Sequence, residues 1–263
     1  MTADDDAREQ ILSWAAATRV LELRIDVSPP NAPPTAIIPH LLAHPSMQQI
    51  RVLAVPPHAE TIRIASQLTR LHTLQCSRTG APSTYEPLIR APTLTALTVF
   101  DPRGHSCLTV LSQLPLLRSL RLANATFLPT GLFPSICSSP TISARLQHLT
   151  IGCWDRTDLS DESLSAELAA SFPHLRALSL LRWLSQGNVD PILLTLHHAR
   201  RIKQFEISTM ASFGDAALVA LLTACPRLRC VIDPCSLEAS VTPSMRDRIE
   251  AFQAQFPSRL VLK

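Results

Sequence analysis

Three stretches decide the reading of this chain: Leu117-Arg118-Ser119-Leu120-Arg121-Leu122, Leu146-Gln147-His148-Leu149-Thr150-Ile151 and Leu175-Arg176-Ala177-Leu178-Ser179-Leu180. Each spells apolar-x-x-apolar-x-apolar, and they start 29 residues apart. The same phrase extends in both directions. Upstream it is found as Val20-Leu23-Ile25, Met47-Ile50-Val52, Leu71-Leu74-Cys76 and Leu94-Leu97-Val99. Downstream it returns as Ile202-Phe205-Ile207, and a weaker ninth copy starts at Leu228 with Val231. Successive starts lie 27, 24, 23, 23, 29, 29, 27 and 26 residues apart, a mean of 26. Repetition at such a period is the mark of stacked units, none of which buries its apolar face alone.

The alternation that ends each copy predicts a short strand, because strand side chains point to opposite faces with period two. Helix-like stretches separate the strands: 37–44, 60–70, 107–114, 164–171, 189–198 and 216–224. A proline stands between helix and strand at Pro45, Pro92, Pro115, Pro173 and Pro226, where it stops the helix. The six glycines, Gly152 among them, are read as turn residues between one strand and the next.

The phrase, its period and stretches such as Gly214-Asp215-Ala216-Ala217-Leu218 leading to Ala224-Cys225-Pro226-Arg227-Leu228 resemble leucine-rich repeats. The helix-bearing, cysteine-containing kind fits best, the ribonuclease-inhibitor-like type found in F-box/leucine-rich-repeat proteins, fungal ones included. The resemblance implies an α/β horseshoe of about nine irregular repeats, with a parallel concave sheet and convex helices. It also implies a protein partner on the concave face, such as a substrate presented for ubiquitylation. Two departures stand out. The ninth position of a repeat usually holds Asn or Cys; here Thr79, Pro102, Ala125, Trp154, Trp183 and Met210 occupy it. The two tryptophans are read as turn filler, and the turns are expected to be irregular. No F-box is found, since only residues 1–18 precede the first strand. Docking to a ubiquitin-ligase adaptor is therefore expected only if such a module is encoded upstream.

The chain is read as one domain, 1–263, with a cap helix in 1–18, repeats in 19–233 and a C-terminal cap in 234–263. In that cap Met245, Ile249, Phe252 and Phe256 form a helical stripe, and 260–262 is read as a last strand. Outward positions of the sheet fall into two rows. The central one reads Arg24, Arg51, Gln75, Thr98, Arg121, Thr150, Ser179, Glu206, Ile232; the next reads Asp26, Leu53, Ser77, Phe100, Ala123, Gly152, Leu181, Ser208. Arg24, Arg51, Gln75, Phe100, Arg121 and Glu206 are the candidate protein-binding residues, a mix of Arg and aromatic side chains that suits contact hot spots.

Composition limits the alternatives. Charged residues make up 17% and apolar ones 46%, which excludes a disordered polar chain. The net charge is only +3, and the cations, 22 of them arginine, form no continuous run, so neither nucleic acid nor membrane is an expected partner. The seven cysteines contain no Cys-x-x-Cys pair and read as reduced thiols. With an acidic N-terminus in place of a signal peptide, this points to cytoplasm or nucleus. No nucleophile elbow, zinc-protease or phosphate-loop motif occurs. His40 and His44 are four apart, but Pro45 follows and no third metal ligand lies nearby. The expectation is a non-catalytic binding scaffold with no cofactor and no metal. Two alternatives remain: a hydrolase with an unrecognised loop site, and a degenerate repeat remnant.

Overall fold

A computed structural model describes residues 13, 21–25, 37–56, 58–76, 84–100, 110–111, 113–125, 139–153, 172–183, 190–196, 201–209, 215–233, 247, 250–251, 253–257 and 259–262. The chain forms two compact units, Met1–Leu117 and Arg118–Lys263. The helices expected in 1–18 and 164–171 fall outside the described residues, apart from Ser13, which is helical.

In the first unit the strands are β1 (Glu22–Arg24), β2 (Val52–Val55), β3 (Thr73–Cys76) and β4 (Ala96–Phe100). Each pairs in parallel with the next along the chain. Between them lie α1 (Ile37–Leu42), a 3-10 helix (Pro45–Gln49), α2 (Ala59–Ala65) and a second 3-10 helix (Glu86–Arg90). The expected helices over 37–44 and 60–70 are thus shorter than read. Pro45 does not merely stop a helix. It opens the first 3-10 turn, whose preceding residue His44 accepts the Ser46 N–H on its own ring, and a proline at a first helical position forfeits no intrahelical bond.

The second unit holds β5 (Ser119–Ala125), α3 (Pro140–Ser143), β6 (His148–Cys153), β7 (Ala177–Trp183), α4 (Asp190–Leu196), β8 (Gln204–Thr209), α5 (Asp215–Ala224), β9 (Arg229–Asp233) and β10 (Leu260–Leu262). These strands are again parallel and in chain order. β10 is the last strand expected from the sequence.

The register shows why the phrase recurs. Leu23, Leu53, Leu74 and Leu97 stand side by side in the first unit. Leu120, Leu149, Leu178, Phe205 and Cys230 do so in the second. All but Leu23 are 0–1% exposed, and a fully buried leucine side chain contributes about 1.5–3 kcal/mol. Ile62 and Ala65 of α2, and Leu218, Leu221 and Leu222 of α5, are likewise buried.

One turn recurs between helix and strand. Leu71 donates its N–H to Leu68 O, Leu175 to Phe172 O and Leu228 to Cys225 O. Pro173 and Pro226 sit second in their turns, where a fixed φ is already correct.

Two repeats are framed differently from the sequence reading. Leu53 and Val55 pair with Leu74 and Cys76, so the second copy is Ile50-Leu53-Val55 and not Met47-Ile50-Val52. Met47 belongs to the 3-10 helix, buried at 1%. In the last copy Cys230 and Ile232, not Val231, lie opposite Phe205 and Ile207. Of the two tryptophans read as turn filler, Trp154 lies outside the described residues and Trp183 belongs to β7. After a register shift, Ala125 pairs with Cys153 and Trp183 with Thr209. Gly152 is not in a turn either; it is buried within β6, opposite Leu181.

Candidate protein-interaction face

The alternation that buries the leucines turns the residues between them to the other face. In the first unit the middle row is Arg24, Ala54, Gln75 and Thr98. In the second it is Arg121, Thr150, Ser179, Glu206 and Val231. Each unit is thus a stack of parallel strand repeats of the leucine-rich-repeat kind.

Four of the candidate residues therefore occupy middle rows. Arg24 is exposed, and its Nε donates to Glu22 at 2.6 Å. Gln75 is half-buried between Ala54 and Thr98. Arg121 is exposed opposite Thr150. Glu206 is half-buried and accepts the Ser179 hydroxyl at 3.3 Å. Phe100, the last residue of β4, is half-buried.

Arg51 is not in the row. Ala54 takes that place, because the second repeat is framed three residues later than read. Arg51 is exposed just ahead of β2, and its carbonyl accepts both His72 N–H and Thr73 N–H at 2.9 Å. The adjoining row loses Leu53 to the core, and Ala123 and Gly152 in it are buried.

The Arg51 contact belongs to a ladder that the sequence reading did not foresee. The residue ahead of a strand offers its carbonyl to two successive N–H groups of the following repeat. Leu21 serves Arg51 and Val52, and His72 serves Thr95 and Ala96. Arg118 serves Gln147 and His148, Gln147 serves Arg176 and Ala177, and Arg176 serves Lys203 and Gln204. The backbone bonds place Arg118, Gln147, Arg176 and Lys203 at neighbouring strand mouths. Arg118, Arg176 and Lys203 are exposed. Their only sequence signal is a place one residue after the first apolar position of a repeat.

Titration shifts follow these surroundings. His148 is held below its ordinary value, first by partial desolvation and then by the charge of Arg176. Burial pushes the Cys230 thiol up to about 12, which leaves it protonated and unreactive at neutral pH. Cys76, Cys225 and Cys230 are buried thiols.

On the helix side of the first unit an open cleft of about 540 Å³ is lined by His40, His58, Glu60 and Arg63. Arg63 donates to both Glu60 oxygens, at 2.8 and 2.6 Å, and holds that carboxyl below its ordinary value. His40 and His44 do not share a helix face, since α1 ends at Leu42 and His44 caps the following turn. Among the described residues no three His, Cys, Asp or Glu side chains gather as a metal site. No described helix is long and apolar enough to cross a membrane.

No family model matches the chain, and no curated protein matches it. Among solved structures it is similar to internalin C2 from Listeria monocytogenes, at 16% identity over 75% of this chain and 79% of that one, with a TM-score of 0.42. It is also similar to the internalin inlF of the same organism, at 12% identity over 86% of this chain and 65% of that one, again with a TM-score of 0.42. Likeness at this level says nothing of function.

Proposed function

We propose that this protein is a non-catalytic scaffold that binds another protein on the outward face of its strands, within cytoplasm or nucleus. The carrying observation is the register. Parallel strands about 4.8 Å apart hold one middle-row side chain each in fixed order, from Arg121 through Thr150 and Ser179 to Glu206. Such a row is preorganised by backbone bonds, so little ordering cost falls on binding.

The test is capture from a native lysate by wild type and by Arg24→Glu/Arg121→Glu. Loss of specific partners supports the face; unchanged capture of every partner counts against it. Substrate recognition within an F-box-type ubiquitin ligase is a finer form of this proposal, motivated by the repeat resemblance. Co-purification of the native gene product with a ligase adaptor supports it, and absence of any adaptor rejects it.

A further inference from the structure

The net charge of +3 conceals a segregation. Residues 1–117 carry nine Lys or Arg and nine Asp or Glu, whereas 118–263 carry fifteen and twelve. Of the ten described cations of the second unit, seven lie at one edge of the sheet, the edge where strands begin. The strand-mouth row holds exposed Arg118, Arg176 and Lys203, and Arg229 begins β9 beside Gln204. A second row lies in the turns just before it: exposed Arg145, His174, Arg201 and Arg227. Arg201 Nη1 lies 2.6 Å from His174 Nδ1, which ties adjacent members of that row.

The described carboxylate-bearing residues of this unit are placed elsewhere. Asp190 and Asp215 open α4 and α5, and Asp233 ends β9. Asp247 and Glu250 lie ahead of β10. Two described acidic residues share a strand with or directly follow these cations, and both stand away from the strand mouths: Glu206 in the middle row of β8 and Asp233 at the far end of β9. No described carboxylate pairs with Arg118, Arg176, Lys203, Arg227 or Arg229. Like charges on adjoining strands oppose folding, so this strip is not explained as a stabilising feature.

We infer that this strip is a docking surface for an acidic, extended polypeptide segment. Guanidinium groups match carboxylates in a planar, two-pronged geometry. Five strand mouths at about 4.8 Å span about 19 Å, the reach of about six extended residues. A nucleic acid fits less well. The described strip offers no exposed Phe, Tyr or Trp ring for base stacking, and the acidic residues elsewhere on the unit would repel a long polyanion. The strip deepens the scaffold reading, on which it rests, by giving one partner surface its chemistry.

The test uses the full chain and fluorescence anisotropy of a labelled poly-glutamate peptide, with a single-stranded oligonucleotide of equal charge as comparison. At about 0.15 M salt the peptide should bind, and at about 0.5 M binding should weaken sharply. Arg176→Glu/Lys203→Glu should weaken it at least about tenfold, and Arg176→Gln/Lys203→Gln by less; melting curves confirm that both are folded. Absence of peptide binding by wild type, indifference to both double variants, or tighter binding of the oligonucleotide would overturn the inference. The two proposals separate cleanly. If Arg24→Glu/Arg121→Glu abolishes lysate capture while strip variants leave peptide binding unchanged, the strip is wrong and the scaffold reading stands. If that variant changes no capture, the scaffold reading fails as well.

Discussion

The carbonyl oxygen of Arg176 accepts the backbone N–H of Lys203 at 2.7 Å, so two cations stand side by side at the mouths of adjacent strands. Backbone bonding, which stabilises the sheet, is what forces the like charges together. The sheet tolerates this because both side chains are exposed and screened by water and salt.

Lys203→Glu converts that repulsion into attraction. Exposed cross-strand pairs are worth about 0.2–1 kcal/mol, and screening favours the lower part of that range. The variant should unfold at slightly higher urea concentration than wild type, with the same slope, while losing affinity for an acidic peptide. Lower stability would show that Lys203 has a structural role.

His148 gives a pH signature. The unfolded chain protonates this residue near its ordinary 6.5, whereas the folded protein resists until lower pH. The unfolded state therefore binds more protons as pH falls below about 6.5, and folding stability falls with it. His148→Gln removes this contribution, so its urea midpoint should change less than that of wild type between about pH 7 and about pH 5. Equal changes would mean that Arg176 and burial do not act on this ring.

Arg259 holds the C-terminal end of the second unit. Its guanidinium donates to the carbonyls of Leu222, Cys225 and Leu228 and lies over the ring of Phe256, 5.5 Å from its centroid. Those carbonyls end α5 and its turn, where a cation meets unsatisfied acceptors. Hydrogen bonds from a charged donor contribute about 1.5–3 kcal/mol, and the exposed part of the site regains water when they are lost. Arg259→Ala should cost about 2 kcal/mol in denaturant titration, and Arg259→Lys should recover less than half, since an ammonium lacks the fork.

Much of the fold was legible because burial imposes a repeating phrase. The frame of the second repeat was not, and the reason is physical. Met47, Ile50 and Leu53 are all buried, so apolar spacing fits two frames three residues apart. Only the 3-10 helix, closed by the Ile50 N–H on Met47 O, decides between them. The last repeat slipped for another reason. Lys203 O receives the Arg229 N–H without the second donor seen in earlier repeats, so one residue is missing between turn and strand. Arg121 and Glu206 were placed in the middle row from sequence alone. The basic strip was not seen, because its members are a repeat apart in the chain and meet only through the ladder.

Thr61 offers a test of packing. Its hydroxyl is buried in α2 and finds no hydrogen-bond partner, and an unsatisfied buried polar group costs about 1–3 kcal/mol. Thr61→Val keeps the shape and removes the oxygen. It should raise stability by about 1 kcal/mol in thermal or urea unfolding. A loss would show that the hydroxyl is satisfied in solution.

The register itself is the central claim, and backbone nuclear Overhauser contacts in a deuterated sample test it most directly. The account predicts contacts between Thr150 and Ser179 and between Ser179 and Glu206, the paired residues of β6, β7 and β8. Contacts joining Thr150 directly to Glu206, or pairings shifted by one residue along either strand, would contradict it.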